Sequence, residues 1–153
     1  MKSIGSLLVI VLSVVLPANF ANRFSPNRAF DEYGPICWEY EKARLDNFAI
    51  SLLNDRPTTL GHIIVYDSKR ACRGEAVARA MRAKKYLVEH RNVPAERIVW
   101  RWGGYLDIPM TTLVIHPAGA ELWPFLQSLP RDQVTFVGNC NRRVRPVKCR
   151  AGW

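Results

Sequence analysis

What this 153-residue chain lacks narrows its function before anything it contains. It has no Gly-x-Ser-x-Gly, no His-Glu-x-x-His and no phosphate-loop pattern, which removes the familiar hydrolase, zinc-protease and nucleotide-binding signatures. Only three histidines occur, His62, His90 and His116. A small basic ribonuclease needs a histidine acid and a histidine base brought to one phosphate. Nothing in the sequence pairs His62 with His116, and a non-catalytic protein is expected. No C-x-x-C pair and no histidine near a cysteine supports a zinc site, and no cofactor is expected. Neither an internal repeat nor a low-complexity segment is present. Acids are scarce as well: 13 Asp and Glu face 22 Lys and Arg, for a formal net charge of +9. That balance favours anionic partners such as nucleic acid, anionic lipid or a wall polymer.

The N-terminus explains which of these to prefer. Lys2 is followed by an apolar run from Ile4 to Leu16, then Pro17, Ala18 and Ala21. A short positive end, an apolar stretch and small residues form the pattern of a secretory signal over residues 1–21. The run is shorter than the roughly 20 residues a membrane span needs, and no transmembrane span is expected once the signal is removed. Cleavage after Ala18 and after Ala21 both remain open. An exported protein of the periplasm, cell envelope or medium is expected, with intracellular nucleic acid the least expected partner. About 130 mature residues make one domain with a real core.

Export gives meaning to the four cysteines, Cys37, Cys72, Cys140 and Cys149. An even count in an oxidising compartment points to disulfides, and four cysteines allow three pairings. The pairing expected here is Cys37 with Cys72 and Cys140 with Cys149. The second pair flanks a basic turn with a proline, and short loops close at low entropic cost.

Hydrophobic periodicity orders the rest. Arg28–Tyr33 reads as a short strand ended by Gly34-Pro35. From about Glu39 to Leu53, Leu45, Phe48, Ala49 and Leu52 repeat at helical spacing on one face. Gly61–Tyr66 is a continuous β-branched run of the kind buried on both faces of a sheet. A polar loop, Asp67–Gly74, leads to a helix over Glu75–Arg91, with Ala76, Val77, Ala80, Met81, Ala83, Leu87 and Val88 on one side. Lys84 interrupts that stripe and must snorkel. Arg97–Trp102 reads as a strand, Gly103-Gly104 as a sharp turn, Thr111–His116 as a strand and Gln133–Val137 as an edge strand. The order β-α-β-α-β-β places helices between strands and predicts an α/β domain with some parallel neighbours and right-handed crossovers. The domain is expected over residues 28–117, with a basic, disulfide-stapled extension over 118–153 carrying Arg142, Arg143, Arg145, Lys148 and Arg150.

Three phrases carry a family resemblance. Arg79-Ala80-Met81-Arg82-Ala83-Lys84-Lys85-Tyr86-Leu87-Val88, then Val93-Pro94-Ala95-Glu96-Arg97-Ile98, then Gly103-Gly104-Tyr105 resemble the C-terminal OmpA-like family. The resemblance spans about Phe30 to His116. The opening, Phe30–Gly34 with Glu41–Ala49, is similar to exported bacterial proteins of no assigned activity. The family fold implies an α/β sandwich with its helices on one face of a small mixed sheet. Its members hold the peptide stem of peptidoglycan, with an arginine for the carboxylate and an aspartate for the ammonium of a zwitterionic amino-acid end. Arg79 matches that arginine. The aspartate position, laid without gaps, falls on Arg70, and the nearest acid, Asp67, comes three residues early. The family's Thr-Asp and Asn-x-x-Leu-Ser phrases are absent.

Eight basic residues between Lys69 and Arg91 face only Glu75 and Glu89. Arg79, Arg82 and Lys85 are expected on the outer side of the second helix, with Lys69, Arg70 and Arg73 before it. That surface is read either as an anion site near the helix N-terminus or as a solvated face. Asp67 is read either as a ligand-binding partner of Arg79 or as half of a surface ion pair with Arg70 or Arg79. Trp100, Trp102 and Tyr105 alternate along a strand and its turn, suiting either a sugar-binding stack or a half-covered face. The expected function is an envelope binding module for peptidoglycan or another anionic polymer, through Arg79, Asp67, Arg70 and Arg82. The alternative is a structural or protein-binding domain.

Overall fold

The apolar run around Ile63 becomes the central strand of a mixed four-stranded sheet. The computed structural model describes residues 29–120, 122, 126–140 and 147–149. Residues 1–21, read above as a secretory signal, together with Arg28 and most of the basic tail (Arg142, Arg143, Arg145, Arg150 and Trp153), lie outside the described residues. The elements are β1 (Asp31–Tyr33), α1 (Trp38–Asn54), β2 (Thr59–Ser68), β3 (Arg70–Arg73), α2 (Glu75–Arg91), β4 (Ile98–Leu106), β5 (Met110–Pro117) and β6 (Thr135–Asn139). The main sheet runs β1-β5-β2-β4. β2 is parallel to β4 and antiparallel to β5, and β1 is antiparallel to β5. The mixed α/β class read from the sequence is therefore the observed one.

Alternation along β2 separates two cores. Ile63 and Val65 join Ile98 and Leu113 under both helices, against Leu45, Phe48, Ala49 and Leu52 of α1 and Ala76, Ala80, Ala83 and Leu87 of α2. On the opposite face Ile64, Tyr66 and Val114 pack with Leu106, Met110 and Leu122. Small residues let these layers close. A side chain at Gly61 would place its Cβ 2.7 Å from Leu52 Cδ2 and 2.9 Å from the Phe48 ring, so α1 packs directly on the strand backbone.

Both helices are finished by chemistry visible in the sequence. Glu39 and Glu41 lie in the first turn of α1, where the helix dipole favours negative charge. Its C-terminal end is held by Arg97, whose guanidinium donates to the carbonyls of Leu52, Arg56 and Thr59 at 2.7, 3.1 and 3.0 Å. α2 ends at Asn92, in the left-handed region at φ 54°, with Val93 N–H reaching back to Leu87 O at 3.1 Å. Lys84 snorkels as expected, donating to Ile98 O at 2.7 Å.

Several expectations are corrected. Val77 and Met81 are exposed, at 40% and 53%, because the turn of α2 facing the core is the one carrying Ala76, Ala80 and Ala83. Gly103-Gly104 is no turn: β4 continues through it. Val65 pairs with Trp102 and Tyr66 with Gly104, which leaves Gly103 as a one-residue bulge. Glycine is required there because a Cβ at Gly103 would stand 2.3 Å from the Tyr66 ring. The polar stretch after Asp67 is not a plain loop either. β3 lies within it and pairs in parallel with β6 as a second, two-stranded sheet.

That small sheet overturns the expected disulfide pairing. The bonds join Cys37 to Cys149 and Cys72 to Cys140. β3–β6 pairing brings Cys72 beside Cys140, with Cα atoms 5.6 Å apart. Trp38 N–H donates to Val147 O at 2.8 Å, setting Cys149 beside Cys37 with Cα atoms 5.1 Å apart. Short-loop entropy favours Cys140–Cys149 in the unfolded chain, but the native backbone delivers the two tail cysteines to different places. Two disulfides suit a non-cytoplasmic, oxidising compartment. Among the described residues no helix is long and apolar enough to cross a membrane.

Two measurements check this architecture. Non-reducing peptide mapping should join the Cys37 peptide to the Cys149 peptide and Cys72 to Cys140, and a Cys37–Cys72 linkage would contradict the fold. Gly61→Ala should lower unfolding stability by about 1–3 kcal/mol in a urea titration, as overpacking does, without altering the denaturant slope.

Candidate functional site

Glu41 is the charged member of a buried stripe. It stands one turn before Leu45 on the inward face of α1 and is only 4% exposed. A buried carboxylate requires partners, and α2 supplies one: Arg82 Nη2 donates to Glu41 Oε2 at 3.1 Å. The Arg82 guanidinium also lies over the Trp38 ring, 5.2 Å from its centre. Tyr33 Oη makes a long contact of 3.5 Å with Glu41 Oε1. Burial, reinforced by Glu41, pushes the Tyr33 hydroxyl far above its usual value, so it stays protonated.

Arg79 lies one helical turn before Arg82 and also turns inward. Its Nη2 donates to Tyr66 O at 2.6 Å, while Nε is buried with no hydrogen-bond partner. Burial pulls its pKa down from the usual arginine value, opposed by Glu75, Asp67 and Glu41. These groups surround a cleft of about 70 Å³. Its walls are the Tyr33–Ile36 link between β1 and α1, the Glu75, Arg79 and Arg82 side of α2, the Pro109 and Thr111 start of β5, and Val147 from the tail.

The expected set is thus divided. Arg79 and Arg82 meet in this cleft rather than on the outer side of the helix: Arg79 is three residues after Ala76 and four before Ala83 on the inward face, and Arg82 follows it by three, on the side that meets Glu41 of α1. Arg70 lies exposed at the start of β3 and does not line the cleft. Asp67 is not a surface ion-pair residue. It is 9% exposed, its Oδ1 accepts from Ala76 N–H at 3.1 Å and its Oδ2 accepts from Trp102 Nε1–H at 3.1 Å. It therefore caps the N-terminal turn of α2 and orients an aromatic ring. Lys85 is solvated on the outer face, 3.8 Å from Glu89, and Lys69 pairs with Asp107 at 2.8 Å.

Glu41 and Glu75 are the acids that the sequence reading missed. The signal for Glu41 was present: it continues the Leu45, Phe48, Leu52 spacing by one turn toward the N-terminus. Two guanidiniums and two carboxylates around one small cleft suit a zwitterion better than a simple anion. Among the described residues no cluster of three or more histidine, cysteine or acidic side chains is arranged to hold a metal ion.

No family model matches this chain, and no curated protein or solved structure matches it. The cleft must be judged on its own chemistry.

A second feature lies on the other face of the sheet. His62 and His116, on neighbouring strands, face each other edge to face with ring centres 6.1 Å apart. Antiparallel pairing of β2 with β5 makes this contact, which no local pattern in the sequence announced. Both are buried, at 4% and 3% exposure, and His62 Nδ1 has no hydrogen-bond partner. Burial first, then the positive charge of Arg101 and the neighbouring His116, pull His62 down from 6.5 to about 4. The unfolded chain binds this proton more readily than the folded one. The related stability is whole above pH 6.5 and declines as pH falls toward 4. Thermal or urea unfolding across that range should show a loss of up to about 3 kcal/mol, and His62→Gln should flatten the dependence.

Proposed function

We propose that the protein is a non-catalytic, exported binding module of the cell envelope that holds a small zwitterionic amino-acid group in the Arg79 cleft. The peptide stem of peptidoglycan is the first ligand to test. The observation that carries this reading is the Arg79 guanidinium, buried in the cleft wall with an uncommitted Nε–H and with Glu41 and Glu75 close by. A bound carboxylate would find a desolvated guanidinium, where a charge-assisted hydrogen bond is strong. An ammonium group on the same ligand would find Glu75, the acid of the cleft that carries no ion pair to a described residue. The resemblance to the OmpA-like family supports the same arginine. The two disulfides support an extracytoplasmic setting.

A second reading has an observation of its own. Both oxygens of Asp67 are engaged inside the fold, and one amino group of Arg79 is spent on Tyr66 O. On this reading Arg79 serves as a tie between α2 and β2, and the domain has kept the fold while losing wall binding. It would then act as a structural or protein-interaction domain.

A sacculus pull-down separates the two. On the binding reading, purified protein pellets with peptidoglycan sacculi at about 150 mM salt, where exposed charges are largely screened. Arg79→Ala and Glu75→Gln then each reduce the bound fraction by roughly tenfold, while both variants keep the wild-type circular dichroism spectrum. Binding that moderate salt abolishes equally in all three proteins, or no binding, favours the structural reading.

A further inference from the structure

Trp102, Tyr105 and Phe136 form a row of aromatic rings away from the cleft. Trp102 and Tyr105 meet edge to face with centres 5.1 Å apart, and Tyr105 and Phe136 do so at 6.1 Å. Trp102 is 47% exposed, which is unusual for so large an apolar side chain. The row is nonetheless fixed in place. Asp67 holds the Trp102 indole N–H. The Tyr105 backbone donates to Ser128 Oγ at 2.8 Å and accepts from Leu129 N–H at 2.7 Å. Phe136 is presented by β6, which pairs with β3 and is fastened by Cys72–Cys140.

Charge is concentrated at one end. The Arg73 guanidinium lies 4.3 Å above the Phe136 ring centre and that of Arg131 lies 5.7 Å from it. Both arginines are exposed, and neither makes an ion pair with a described carboxylate. A guanidinium stacked on a ring keeps its in-plane N–H donors free to fork a carboxylate. The acids nearest in sequence are Glu75, which lines the Arg79 cleft, and Asp132, beside Arg131.

We propose that Trp102 and Tyr105, with Arg73 and Arg131 carried on the Phe136 ring at one end, form a binding ledge for an acidic polysaccharide. The polarised C–H bonds of a sugar ring face suit the electron-rich face of an aromatic ring. The arginines then take a carboxylate borne by a neighbouring sugar. A single-stranded nucleic acid fits less well. It carries a charge at every backbone step and calls for a basic track along the whole groove, whereas here the cations gather at the Phe136 end. The ledge is independent of the Arg79 cleft.

Calorimetric titration of the full chain tests this with three probes: an oligogalacturonate, its methyl-esterified counterpart and an oligothymidylate of similar length. At about 150 mM salt the protein should bind oligogalacturonate roughly tenfold more tightly than either other probe. Arg131→Glu, which alters no hydrogen bond made by a side chain, should weaken that binding by roughly tenfold or more. Trp102→Ala should do the same, with its fold checked by circular dichroism, and Lys85→Ala, on the outer face of α2, should leave it unchanged. The idea is overturned by absent oligogalacturonate binding, by oligothymidylate binding as tight or tighter, or by indifference to Arg131→Glu.

Discussion

The C-terminal end of β2 fixes more of this molecule than any other place in it. Three successive groups there face three different neighbours. The Tyr66 ring occupies the space that Gly103 leaves in β4, at the bulge between the two parallel strands. The Tyr66 carbonyl takes the Arg79 guanidinium. The Asp67 carboxylate takes a backbone N–H from the first turn of α2 and the Trp102 indole. Where α2 begins, which way its arginines turn and how β4 bends are all set within two residues. A carboxylate that binds an unsatisfied N-terminal N–H does the work of an N-cap from outside the helix. It is needed because Gly74, at the helix start, has no side chain to do so.

Turning Arg79 and Arg82 inward changes what the net charge means. A chain at +9 suggests a general affinity for polyanions. Yet the two arginines best placed to form a site share their cleft with Glu41 and Glu75 and sit in a locally balanced field. The surplus positive charge lies elsewhere, on exposed positions such as Arg70, Arg73 and Arg131. Solubility and long-range attraction follow from the second group. A similar lock joins the C-terminal end of α2 to the middle of α1, where Arg91 Nη2 donates to Asp46 Oδ2 at 2.6 Å and Tyr86 Oη donates to Asp46 Oδ1 at 2.7 Å. Hydrogen bonds from Arg91 hold the Asp46 carboxyl below its usual pKa.

The main fold was legible in the sequence because its signals are local. The 3,4 spacing of Leu45, Phe48, Ala49 and Leu52 named the buried face of α1, and the unbroken run at Ile63 named a strand covered on both sides. What escaped was everything decided by a distant partner. Arg70–Arg73 is polar enough to read as loop and becomes a strand only because β6 pairs with it. Two consecutive glycines resemble a turn unless the Tyr66 ring that needs their space is known. Asp67 looked like a surface acid because its partners are a backbone N–H nine residues on and an indole on another strand. The same reason hid the meeting of His62 with His116 and the role of Glu41, whose spacing was readable but whose partner lies on the second helix.

Disulfides settled the matter least visible in sequence, the place of the tail. Chain-entropy reasoning favours the longer closed loops for stability: separations of 112 and 68 residues correspond to roughly 4–5 kcal/mol each against an unfolded chain. Each bond also serves a different surface. Cys37–Cys149 keeps Val147 at the start of α1, where it walls the Arg79 cleft. Cys72–Cys140 fastens β6 to β3 and so sets Phe136 beside Tyr105. The nearer pairing, Cys140 with Cys149, would close a small loop and anchor the tail to neither surface. The pairing observed instead makes the C-terminal segment part of both, so cleft and ledge are properties of the oxidised whole chain rather than of the central sheet alone.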